Sequence, residues 1–243
     1  MKSLTAPELK NSFVNAALYS LSSALYFVAA RSIGTGLSMV IFYAYPVFIF
    51  LGLWVLRGQH VSRSSWISLF VVSFGFLLLN QNMPSVQTSF FGISTAIISC
   101  IFYAVYIVVS KDQAHSMNPY LATFVLSVIS SLCFLVMTLM EGKFDWPHSY
   151  QTWLVIFALG FLATSAPVLL MLKGLKYVGA DIAAILSILE PVLTLILGVL
   201  FLSEQISAVQ ILGIVVVLIG AIGATLGAKS TVTAPPVPKI NSI

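Results

Sequence analysis

The chain has 243 residues and a net charge of +4, with 59% hydrophobic and only 7% charged residues, where a soluble domain carries about 25% charged residues. Its mean hydropathy is +1.05. Those values exclude a water-soluble globular domain, and because membrane topology accounts for the basic excess, it implies no nucleic-acid partner.

A helix that crosses the hydrocarbon core needs about 20 apolar residues, and eight such segments follow one another between short polar breaks. The first, 12–30, carries Asn15, Tyr19, Ser22 and Tyr26 as a polar stripe. Lys2 and Lys10 precede it and the small residues Val28 to Ala30 end it, as in a signal peptide. The run is too long and too rich in serine for a signal core, so it reads as an uncleaved helix. The second span, 37–56, contains Tyr45 and Pro46; the third covers 65–80. The fourth, 90–110, bears Ser99, Tyr103, Tyr106 and Ser110, and the fifth, 119–139, bears Thr123, Ser127 and Ser130. The sixth covers 151–172. The seventh, 182–202, holds Glu190 beside Pro191, with Asp181 placed as its N-cap. The eighth, 208–227, ends in Gly223 and Gly227, a spacing that permits close helix contact or a homodimer. Residues 228–243 are polar and proline-rich and read as a disordered tail.

These segments are continuously apolar for twice the roughly 10 residues of a barrel strand, so the expected fold is an all-α integral membrane protein with eight transmembrane helices. Cys100 and Cys133 fall inside spans and read as small core residues. His60, His115 and His148 lie in different loops, which suits no metal site, and no cofactor is expected. Basic residues are retained on the cytoplasmic side. With eight spans one face collects Lys2, Lys10, Arg57, Arg63, Lys111, Lys173, Lys176, Lys229 and Lys239, and the other Arg31 and Lys143. Both termini are therefore expected in the cytoplasm, at a bacterial inner membrane.

An internal repeat also emerges. Shifted by 145 residues, "SIGTGLSMVIFYAYPVFIF" lies on "YVGADIAAILSILEPVLTL" without a gap. Gly34 then matches Gly179, Pro46 matches Pro191, Ser62 matches Ser207 and Gly75 matches Gly220. Glycine, proline and serine are backbone punctuation that an apolar composition does not supply by itself. The first copy, 1–80, has three helices and the second, 90–227, has five. Equivalent helices are an odd number of spans apart, so the copies run oppositely through the membrane. Inverted repeats of this kind place a substrate site at the midplane between the halves. Glu190 lies about 13 Å along its helix from Asp181 at about 1.5 Å per residue, close to the middle of the hydrocarbon. Pro46 reaches a similar depth from the other face. Each proline removes a donor and breaks its helix.

"LEPVLTLILGVLFLSEQISAVQILGIVVVLIGAIGA" resembles the C-terminal signature of EamA-type carriers of the drug/metabolite transporter superfamily, and "YAYPVFIFLGLWVLRGQHVSRSSWISLFVVSFGFLLL" is similar to the matching part of the first half. The resemblance implies ten helices in two inverted five-helix repeats that carry small metabolites. The chain departs from that pattern in two ways. Its first copy has three spans, so the family's first two helices have no counterpart here. Gly58 and Gln59 stand where the second copy has Ser203 and Glu204.

Glu190 is the one acidic residue deep in a span. A charge there is expensive and usually faces a cavity or a partner, although a protonated or hydrogen-bonded carboxyl that serves packing alone is the alternative. Ala183, Ser187, Glu190, Thr194 and Gly198 recur at helical spacing and define an inward stripe. Tyr45 is the counterpart of Glu190 in the first copy. The expected substrate- or proton-binding set is Glu190, Tyr45, Ser187, Thr194, Tyr103, Tyr26 and Asn15, with Pro46 and Pro191 as helix breaks. The stripes on the first, fourth and fifth spans also suit helix packing through interhelical hydrogen bonds. The leading expectation is a secondary transporter of a small molecule, not an enzyme: there is no GxSxG elbow, no paired histidine ligands and no P-loop. A non-transporting interaction protein is the second reading, and a membrane enzyme the third.

Overall fold

The computed structural model describes residues 6–56, 58, 61–79, 89–142, 146–202 and 207–229. Every element among the described residues is helical. Helix α1 runs Ala6–Ile33; α2 is Thr35–Phe42 and α3 is Tyr45–Leu51, continued by a π-helical turn at Gly52–Leu56. Helix α4 is Arg63–Leu79, α5 is Phe90–Gln113 and α6 is Pro119–Met140. Then come α7 (Tyr150–Ala158), a π-helical stretch (Leu159–Ser165), α8 (Ala166–Gly174), α9 (Ala180–Ser187), α10 (Leu189–Leu202) and α11 (Ala208–Lys229). Six of the helical stretches are long and apolar enough to cross a membrane. The helix of the third expected span, Arg63–Leu79, has 17 residues, and that of the eighth, Ala208–Lys229, has 22. The tail assignment shifts as well, since α11 continues to Lys229; residues 230–243, like Gln59, Ser203 and Glu204, lie outside the described residues.

Local chemistry explains where the helices start and stop. Ser62 accepts from the Ser65 amide at 3.0 Å and opens α4. Ser207 and Gln210 cap each other's amides at 3.2 and 3.0 Å and open α11. The helices are interrupted just ahead of Pro46 and of Pro191. The chain turns at Tyr43 and Ala44, whose amides reach Met39 O and Ile41 O at 2.9 and 3.1 Å, and Pro46 starts the new helix. Near Pro191, the Ile188 amide bonds Ile185 O at 3.2 Å between α9 and α10. The sixth span runs as one continuous helical stretch, Tyr150–Gly174, but its geometry changes midway. Pro167 has no amide to offer the carbonyl four residues back. The hydroxyls of Ser165 and Thr164 instead bond the carbonyls of Gly160 and Leu159, five residues back, at 2.9 and 3.4 Å, and the helix widens to π geometry there. Asp181 is a first-turn residue rather than the cap, because Gly179 occupies that position; its carboxylate still complements the helix dipole and receives the Ser65 hydroxyl at 3.5 Å.

Helix α1 packs against both α5 and α6. Ser22 and Ser99 exchange hydroxyl-to-carbonyl bonds at 2.9 and 2.7 Å across α1 and α5, and Ser20 meets Ser130 of α6 at 2.8 Å. Ser22, Ser99 and Ser130 thus do the packing work that their stripes suggested, with Ser20 as a further partner. Helix α11 lies along α4 over a glycine seam. A methyl group on Gly75 would stand 2.8 Å from Val217 Cγ2, and one on Gly220 would collide with Val72. Gly223 faces Ser68 in the same seam, 3.1 Å from its hydroxyl to the ideal methyl position. In contrast, none of the side chains from Tyr150 to Ser165 is buried.

Candidate functional site

The helix breaks at Tyr43–Pro46 and Ile188–Pro191 face one cavity of about 500 Å³. Seven helical elements supply its wall. From α1 come Tyr19, Ser23, Tyr26 and Phe27; from α2 and the following turn, Met39, Phe42 and Tyr43. Helix α5 adds Tyr103 and Tyr106, while the π stretch and α8 add Thr164, Pro167 and Met171. Ser187 and Glu190 close it from α9 and α10.

Seven aromatic rings line this wall, and several touch one another in a continuous lattice. Phe42 is its hub, with ring centroids 5.3 Å from Tyr26, 5.0 Å from Tyr103 and 5.8 Å from Tyr45. Tyr103 continues the lattice to Tyr106 at 5.7 Å, and Tyr106 meets Tyr19 edge-on at 5.4 Å. Such offset and edge-to-face pairs fix ring orientation beyond simple area burial. The hydroxyl of Tyr43 stands beside the Glu190 carboxylate, and that of Tyr45 beside Ser187. The two broken helices thus meet through side chains at their breaks.

The expected site residues divide into two groups. Glu190, Ser187, Tyr103 and Tyr26 line the cavity together. Tyr45 is 2% exposed and packs edge-on behind Tyr103 at 4.8 Å, so it supports the wall from the second layer. Tyr43, two residues earlier in the turn, takes the wall position instead. Asn15 is buried below the cavity, where its amide donates to Gln113 Oε1 at 2.9 Å and Met117 Sδ at 3.3 Å. Thr194 is exposed and returns its hydroxyl to Glu190 O at 3.0 Å. The inward stripe from Ala183 to Thr194 fails to carry through because the break at Ile188 resets the helical phase. Tyr19, Tyr106 and Phe42 were visible as aromatics at the right depth, but periodicity alone did not separate cavity wall from core.

Two further spaces adjoin the central one. A cavity of about 680 Å³ shares Tyr19, Ser23, Phe27 and Thr164 with it and continues past Ser127, Ser131 and Ser165. Another of about 360 Å³ shares Phe27 and Thr164 and ends at Arg31 and Glu141, which form an ion pair between the ends of α1 and α6. Toward the opposite end, besides the Asn15 contacts, Lys111 Nζ bonds Leu175 O at 2.8 Å and ties α5 to the end of α8. Lys173 at that end bonds the Tyr120 hydroxyl at 2.8 Å. No grouping of histidine, cysteine or acidic residues suited to a metal occurs among the described residues.

A bundle of apolar helices, six of its stretches long enough to cross a membrane, defines an integral membrane protein with a cavity at its helix breaks. The EamA-like transporter family matches residues 90–226, and the chain belongs to that family. A transporter from Archaeoglobus fulgidus, described as uncharacterized, is 28% identical over 202 residues, which is 83% of this chain and 71% of that protein. The threonine/homoserine exporter RhtA of Salmonella typhimurium is 24% identical over 205 residues, 83% of this chain and 66% of the exporter. One solved structure superposes with a TM-score of 0.79 at 19% identity, over 96% of this chain and 79% of that one, and so shares the fold.

Proposed function

We propose that the chain is a secondary carrier that moves a small metabolite or drug-like molecule across the membrane by alternating access, with the cavity at Glu190 as its binding site. The observation that carries the reading is the position of that cavity, between two proline-broken helices and enclosed by aromatic rings. Its volume of about 500 Å³ falls within the range of pockets that hold small molecules.

The arrangement of helices supports two inverted repeats around this site. Thr35–Phe42 and Ala180–Ser187 share their bounds at an offset of 145 residues, and Arg63 and Ala208, which open α4 and α11, are the same distance apart. The α4–α11 seam is reciprocal under the same offset: Gly75 faces Val217, and Gly220 faces Val72. Repeats of this kind rock against each other around a fixed site in secondary transporters. The side cavities lead toward Arg31 while Lys111 and Lys173 stand at the other end, so by the positive-inside rule the side cavities face away from the cytoplasm. The threonine/homoserine exporters among the relatives point to cargo of amino-acid size. Counterflow in proteoliposomes tests the proposal. Exchange of at least one compound from a panel of amino acids, amines and nucleosides is expected, and silence across the panel from folded protein would refute the carrier reading.

A further inference from the structure

We infer that the cavity at Glu190 selects an organic ammonium ion, and that it prefers a cation without a carboxylate of its own to a zwitterion. The inference rests on the carrier reading only in taking this cavity as the binding site.

Among the described residues that line the cavity, Glu190 is the one carboxylate, and there is no lysine, arginine or histidine. The site therefore offers one negative charge with no basic side chain to balance it. Around that charge stand Tyr19, Tyr26, Phe42, Tyr43, Tyr103 and Tyr106. Their faces carry negative quadrupoles, and a cation within about 6 Å of a ring centroid is attracted to them, most strongly where water is excluded. Carboxylate and rings thus favour the same ligand charge. A free carboxylate on the ligand would meet Glu190 with no cation to hold it. Arg31, in the adjoining cavity, is already paired with Glu141. A neutral sugar or nucleoside would leave the acidic charge uncompensated in a low-dielectric setting.

Three ligands that share one ring separate these cases: 2-phenylethylammonium, phenylalanine and 3-phenylpropionate. Equilibrium binding to the full chain in nanodiscs at neutral pH is expected to follow that order, with at least a tenfold weaker Kd for phenylalanine and no measurable binding of phenylpropionate. Glu190→Gln should weaken phenylethylammonium binding at least twentyfold. Tyr26→Leu should weaken it about fivefold while Tyr26→Phe stays within twofold, because the ring and not the hydroxyl acts on the cation. Phenylalanine or phenylpropionate binding as tightly as the amine would overturn the inference, and so would amine binding that is absent in the folded protein or unaltered by these substitutions. Should Glu190→Gln fail to fold, the Tyr26 pair carries the test. Amine binding without flux in proteoliposomes would refute the carrier and leave the cage standing; zwitterion flux without amine binding would do the reverse.

Discussion

Gly220 and Gly160 both sit in the middle of apolar helices, yet their surroundings are opposite. Gly220 lies in the α4–α11 seam, where any added methyl group runs into Val72, while Gly160 in the π-helical stretch has nothing within 4 Å of that position. The two segments have similar composition. What differs is the facing surface: α4 and α11 cover each other, whereas α7 and the π stretch bury no side chain. One region is a fixed scaffold. The other borders both side cavities and is the part least held by tertiary packing, the kind of segment that moves at low cost.

The comparison can be broken by substitution. Gly220→Leu should have the largest effect, because overpacking of a tight contact costs roughly 1–3 kcal/mol and a leucine here meets backbone as well as side chain. Thermal unfolding in detergent should show a clear loss of the folded species, and tolerance of leucine would show the seam to be loose. Ser22→Val comes next. It removes one arm of the reciprocal Ser22–Ser99 pair, and a loss of about 1 kcal/mol is expected from interhelical hydrogen bonds in membranes. Arg31→Gln opens the ion pair with Glu141, whose arginine side chain is 67% exposed. Exposed pairs contribute at most about 1 kcal/mol, so stability should barely change, while the salt dependence of uptake should fall. Gly160→Ala should have the smallest effect on stability, neutral or favourable by up to about 1 kcal/mol from helix propensity. A loss as large as that at Gly220 would erase the contrast between scaffold and moving wall.

Much of the scaffold was legible in the sequence because it rests on backbone chemistry. Pro46 and Pro191 lack an amide donor wherever they stand, and Ser62 and Ser207 mark helix starts by the same logic in both halves. Gly75 and Gly220 announce close approach because no other residue allows it. The site was legible only in part. Glu190 was identifiable because a lone carboxylate in hydrocarbon needs a reason, and Ser187, Tyr26 and Tyr103 accompany it in the cavity. Tyr45 was chosen as the repeat counterpart of Glu190, but the two halves do not present the same position to the cavity, and Tyr43 lines it while Tyr45 is buried behind. The break at Ile188 likewise removed Thr194 from the inward stripe. Asn15 was polar and deep, but its amide is occupied by Gln113 and Met117, a pairing across 98 residues that no local pattern encodes. The π stretch escaped notice because its cause is shared between Pro167 and the hydroxyls of Thr164 and Ser165.

The central claim is that Glu190 works at the binding site and does not merely pack. Uptake by proteoliposomes containing Glu190→Gln, compared with wild type at equal insertion and across pH, tests it most directly. Glutamine keeps the shape and removes the charge. The account predicts that uptake falls at least tenfold while the protein remains folded, and uptake at the wild-type rate with an unchanged pH dependence would contradict it.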